Sequence, residues 1–96
     1  MFFGEKIRLL RKEKGLVLRK VAAKMDIDTA TLSKIELGER HAKREHLRLL
    51  SELYNFDIYE LEKLWLIDKV FGIVKDEEQG IIVLKEVEVA IKNKDI

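Results

Sequence analysis

The stretch Val17 to Arg40, VLRKVAAKMDIDTATLSKIELGER, constrains this chain more than any other. It reads as two short helices joined by a tight turn, Leu18 to Met25 and Thr29 to Glu36. Apolar residues recur at helical spacing on both: Val21, Ala22 and Met25, then Leu32 and Ile35. Ala22 is small where two helices meeting at a steep angle need close approach. Asp26-Ile27-Asp28 makes the connection, and Asp28 or Thr29 can cap the second helix by accepting a bond from its free N–H groups. Gly38 stops that helix, because glycine takes a left-handed C-terminal conformation at little cost.

Two helices at ~90–120° joined by a ~3–4-residue turn form a helix-turn-helix, whose second helix enters the DNA major groove. The charge distribution points the same way. The net charge is only +1, but Met1 to Phe56 holds 13 Lys+Arg against 8 Asp+Glu, or +5, and Asp57 to Ile96 holds 6 against 10, or −4. A basic first half is an electrostatic footprint for phosphate. The acidic second half should face away from DNA.

Around this motif the chain reads as further helices. Phe3, Ile7 and Leu10 recur on a first helix from Phe3 to Lys14, and Gly15 ends it; Leu16 packs inward. After a short basic loop, Arg44 to Tyr54 reads as helix four, with Leu47, Leu50 and Leu53 inward and Leu49 at the edge. Asp57-Ile58-Tyr59-Glu60 resembles a capping box at the start of helix five. Ile58, Leu61 and Trp65 close the core. Helix five then runs on through an apolar stretch to Lys75, with more apolar surface than a five-helix domain needs. Asp76 to Gly80 is a polar turn. Ile81 to Lys92 favours a helix with Leu84, Val87 and Ile91 on one face, in an antiparallel hairpin over helix five. A strand is the alternative, since Val87 and Val89 alternate with Glu86 and Glu88.

Gly4 to Leu61 resembles the lambda-repressor/Cro-like helix-turn-helix proteins, the XRE family, which includes phage repressors, restriction–modification controllers and antitoxins. The resemblance rests on IRLLRKEKGL, KVAAKMDIDTATLSKIELGER and LRLLSELYNFDIYEL, with S-K-I-E-x-G-x-R, at the end of the second helix and just past it, among its most diagnostic parts. It implies an all-α fold: a five-helix domain over residues 1–63 with an extended fifth helix, and an apolar extension over 64–96. It implies a transcriptional regulator that binds double-stranded DNA as a homodimer on a pseudo-palindromic operator. Base reading falls to Thr29, Ala30, Thr31, Ser33 and Lys34, and phosphate contact to Arg11, Arg19, Lys20, Arg40, Lys43 and Arg44. Lysine suits guanine, hydroxyls suit several bases, and the Ala30 methyl suits thymine. For Thr29 the alternative is a helix cap only. Arg11 and Glu36 match a structural salt bridge. The sequence departs from the family at Val17 and Leu18, which lack the usual cap and phosphate-binding Gln, and at Asp26, where the turn usually has Gly.

The apolar extension supplies the expected dimer interface: Trp65, Val70, Phe71, Val74, Leu84, Val87 and Ile91. The alternative from a different class is an antitoxin-type module whose C-terminal segment covers a partner protein. Other chemistry finds little support. There is no cysteine, so no thiolate metal site or disulfide. His41 and His46 lack a metal-ligand spacing, no phosphate-binding glycine loop occurs, and no serine has a base beside it. The sequence thus predicts no enzyme, no metal and no cofactor. No apolar run reaches the ~18 residues of a membrane span, and no leader is visible, so a cytoplasmic location is expected.

Overall fold

Apolar residues at helical spacing, with no proline to interrupt them, produce six helices in the computed structural model, which describes residues 1–94. They are α1 (Phe2–Glu13), α2 (Leu18–Lys24), α3 (Thr29–Leu37), α4 (His46–Tyr54), α5 (Ile58–Val74) and α6 (Gly80–Asn93). No strand occurs among the described residues, so the strand alternative for 81–92 falls. Asp95 and Ile96, the end of the 64–96 extension, lie outside the described residues. Helix four starts two residues later than the sequence suggests, because Arg44 and Glu45 are taken up in a turn.

The first five helices share one core. Ile7 and Leu10 of α1, Val21 and Ala22 of α2, Leu32 and Ile35 of α3, Leu47 and Leu50 of α4, and Leu61 of α5 are buried in it. α1 lies across α3, α4 and α5, while α2 packs on α3. The contact of α1 with α3 is backbone to backbone. A Cβ at Gly4 would collide with the carbonyl oxygens of Ile35 and Glu36, so only glycine lets the two helices approach this closely. Helix four buries Tyr54, while Leu53 and Leu49 are half-buried. The expected trio of leucines is thus partly replaced by the tyrosine.

Two features of α5 escape the pattern of apolar residues. Trp65 is buried, and its indole N–H donates to the Ala42 carbonyl at 2.7 Å. Asp68 is buried too, at 4% exposure, and its carboxylate accepts from the backbone N–H of Phe2 at 3.1 Å and of Phe3 at 3.0 Å. The first four N–H groups of a helix have no partner within it, and no side chain next to α1 caps it. A carboxylate 65 residues away does so instead, and its negative charge suits the helix's positive N-terminal end. The core therefore extends past residue 63, through Trp65 and Asp68.

Helix five begins with half of the expected capping box. Asp57 accepts from the Tyr59 N–H at 3.1 Å, but Glu60 bonds Lys63 at 2.9 Å rather than reaching back. Further along, the expected hairpin does not close. α6 is helical, but only Gly80 of it is buried. A Cβ at Gly80 would come within 2.7 Å of the Val74 carbonyl oxygen. The end of α5 and the start of α6 meet at this elbow, from which α6 departs and leaves the outer side of α5 open.

Candidate nucleic-acid interface

α2 and α3 meet through the turn Met25–Asp28. Asp26 takes φ +58° there, and its short side chain tolerates this left-handed geometry better than most. The turn thus forms without the glycine usual in the family. Asp28 then caps α3: its Oδ1 accepts from the Thr31 N–H at 2.7 Å. Hydrogen bonds from the Thr31 side chain and backbone hold the Asp28 carboxyl below its usual pKa, with help from the charges of Arg40 and Lys34. Asp28 is the cap, so Thr29 is the first helical residue and its side chain is not needed for capping. Gly38 closes α3 at φ +81°.

With both ends fixed, α3 presents one face outward. Thr29, Ala30 and Lys34 are exposed on it, and Ser33 is half-buried between them. Thr31 is also half-buried, and its backbone N–H serves the Asp28 cap. Leu37, one turn beyond Ser33, continues this face at 61% exposure. Its spacing from Ala30 and Ser33 is the signal in the sequence that places it on this face.

The basic residues flank that face unequally. Arg19 and Lys20 at the start of α2, and Arg40 and Lys43 in the α3–α4 loop, are exposed. Arg40, Lys43 and His46 line a shallow cleft beside Asp28 and Thr31, where the His46 Nδ1 is buried without a partner among the described residues. Arg44 points elsewhere. It bonds Glu62 at 2.9 Å, and its guanidinium lies 4.9 Å from the centre of the Trp65 ring. The Val17 backbone starts α2 with no side-chain cap, as its sequence implies.

Arg11 is enclosed rather than presented. Its Nε donates to Glu36 Oε2 at 2.8 Å, its Nη2 to Oε1 at 3.1 Å, and its Nη1 to the Leu16 carbonyl at 3.0 Å. The side chains are 13% and 4% exposed. A two-pronged pair of this kind fixes orientation as well as charge, and the bond to Glu36 raises the Arg11 pKa above its ordinary value. Arg11 thereby ties α1 and the chain after it to the far end of α3. Tyr54, within reach of the charges of this pair, has its hydroxyl buried and unpaired among the described residues. Burial, then the nearby Glu36 charge, pushes its pKa up to about 12.

Of the expected interface residues, Trp65 is misplaced. It is 5% exposed and its one polar atom is used within the core, because it sits on the inward side of α5. Val70, Phe71, Leu84, Val87 and Ile91 are 36–58% exposed, and Val74 is half-buried. Among the described residues, no group of histidine, cysteine or carboxylate side chains is placed to hold a metal, and no helix is long and apolar enough to cross a membrane.

Two helices joined by a left-handed turn, the second capped at its start and exposed along one face, define a helix-turn-helix DNA-binding protein. A family profile described as helix-turn-helix matches residues 7–61, more than half of the chain, and the protein belongs to the Cro/C1-type XRE family. No curated protein and no solved structure gives a match.

Proposed function

We propose that the protein is a sequence-specific transcriptional regulator that binds a pseudo-palindromic operator as a homodimer, with α3 in the major groove. The observation that supports this most is the outward face of α3. Lys34, Thr29 and Ala30 stand free there, and the exposed cations of Arg40 and Lys43 flank its start. Thr29, Ala30, Ser33 and Lys34 read base edges in this assignment. Thr31 has a smaller part, since its side chain is half-buried beside the cap. Arg19, Lys20, Arg40 and Lys43 hold phosphates, each adding about 0.9 to the slope of affinity against salt. Arg44 joins them only by leaving Glu62, a surface bridge worth roughly 0–1 kcal/mol. Arg11 we assign to bracing.

A single motif reads few base pairs, so specificity needs two copies on half-sites ~34–36 Å apart or a multiple of that. The exposed apolar residues from Val70 to Ile91 supply the contact between copies. The protein acts by occupancy in the cytoplasm, without catalysis or cofactor. The antitoxin-type reading draws on the same exposed apolar side, with a different protein as its cover.

Selection of bound sites from random duplex DNA, with full-length protein near physiological salt of about 0.15 M, tests this. A symmetric motif is expected. Recovery of no enriched sequence would overturn the assignment, and enrichment of a single asymmetric half-site would overturn its dimeric part.

A further inference from the structure

The outer side of α5 and the whole of α6 share one deficit. α6 has 14 residues, about 21 Å at ~1.5 Å per residue. Isolated helices of that length are marginal in water, and this one buries nothing beyond Gly80. α5 is apolar on two opposite sides. Leu61 and Trp65 face the core, while Leu66, Ile67, Val70 and Phe71 are 39–45% exposed on the other side. A helix apolar all round is normally covered all round.

That outer side forms a groove of about 670 Å³ running from Tyr59 to Val74, with Leu84 of the same chain at its rim. Its 16 residues of helix span about 24 Å, which matches α6 in length. Among the described residues, Leu84 is the one α6 side chain that lines its own chain's groove, and the rest of α6 beyond Gly80 stays exposed. Twelve apolar side chains between Leu66 and Ile91 are 36–74% exposed. Together they expose on the order of 1,000 Å², against about 800 Å² per partner in a standard stable interface. Lys85, Glu86, Glu88 and Lys92 cancel along α6, as Glu62 and Lys63 do at the groove. The charges along α6 and on the groove walls thus balance, and the acidic Asp76, Glu77 and Glu78 lie in the turn between them.

We propose that α6 of each copy seats in the α5 groove of a second copy, a reciprocal helix exchange that rests on the homodimeric reading above and specifies its contact. A helix from a foreign protein would fill the groove and leave α6 bare. A second copy supplies one helix and one groove, so a single two-fold axis covers both surfaces on both chains.

The chain has no cysteine, which makes the test direct. One full-length variant carries Val70→Cys, and three others carry Leu84→Cys, Val87→Cys or Ile91→Cys. A disulfide needs Cα atoms within about 7 Å, so successive α6 positions are tried against the one groove position. All four sites are at least 36% exposed, so the core stays intact. The variants are mixed in pairs, oxidised mildly and separated without reductant, and the unaltered protein is sedimented in parallel. Exchange predicts a dimer in sedimentation and a mixed disulfide between Val70→Cys and at least one α6 variant as the main cross-linked product. A dimer whose cross-links join α6 to α6, or Val70 to Val70, would overturn the exchange and leave the homodimer standing. A monomer at every concentration would overturn both.

Discussion

Tyr54→Phe is expected to stabilise the protein, and to do so more at high pH. Tyr54 is 1% exposed, and its hydroxyl has no partner among the described residues. Burying an unpaired polar group costs roughly 1–3 kcal/mol, whereas a ring of the same shape without the oxygen avoids that cost. Taking the lower end, the variant gains about 1 kcal/mol at pH 7. The phenol's pKa rises from 10.0 to about 12 on folding, so the fold favours its neutral form. That contribution is fully present below pH 10 and is lost as pH rises through 12. Linkage at ~1.36 kcal/mol per unit makes the loss about 1.4 kcal/mol at pH 11 and approaches about 2.7 kcal/mol beyond pH 12. The phenylalanine variant has no such loss. Urea unfolding at pH 7 and pH 11, followed by the fluorescence of Trp65, measures both stabilities. Other groups titrate in both proteins and cancel in the difference. A variant that is less stable at pH 7 would mean the hydroxyl is bonded. A difference that does not widen by pH 11 would mean that desolvation does not govern the phenol.

Glu36→Ala leaves the Arg11 guanidinium enclosed without its carboxylate and should cost about 3 kcal/mol, the lower end for a broken buried pair because Leu16 still accepts one bond. A double-mutant cycle with Arg11→Met should recover part of that, and additive losses in chemical denaturation would deny the coupling. Asp68→Ala removes two charge-assisted bonds from the start of α1 and should cost about 2 kcal/mol, near the upper end for a lost cap; a melting temperature unchanged from the parent would contradict this. Lys34→Ala should weaken operator binding by about 1–3 kcal/mol and relax the preference at one base pair, and an unaltered selected motif would remove Lys34 from the reading face.

The parts of this fold that were legible in sequence are those governed by local rules. Gly38 ends α3 because its backbone must turn left-handed, and Asp28 caps because an acceptor is wanted just there. The Arg11–Glu36 pair was legible only through family resemblance, since spacing alone does not place residues 25 apart in contact. What stayed hidden depends on how helices meet. Asp68 looks like a stray charge in the apolar run LWLIDKVF until α1 is laid against it. Trp65 reads as interface or core until its indole finds the Ala42 carbonyl. Gly80 reads as part of a polar turn, whereas its lack of a side chain lets α6 begin against the Val74 carbonyl. Past that contact α6 buries nothing of itself, which the apolar pattern of 81–92 did not reveal. On the outward face of α3, exposure decided what spacing could not: Thr31 is half-buried beside Asp28, and Leu37 is exposed.

The bond from Asp68 to Phe2 and Phe3 also sets an order in time. A ribosome makes α1 first and its cap 65 residues later, a delay of about 3–13 s at roughly 5–20 residues per second. Until then the opening amides of α1 have no carboxylate cap and must be served by water. The residue that completes the DNA-binding half leaves the ribosome together with the apolar residues Leu66 to Val74. The cap that closes the first helix is therefore made in the same stretch as the apolar residues left exposed on α5.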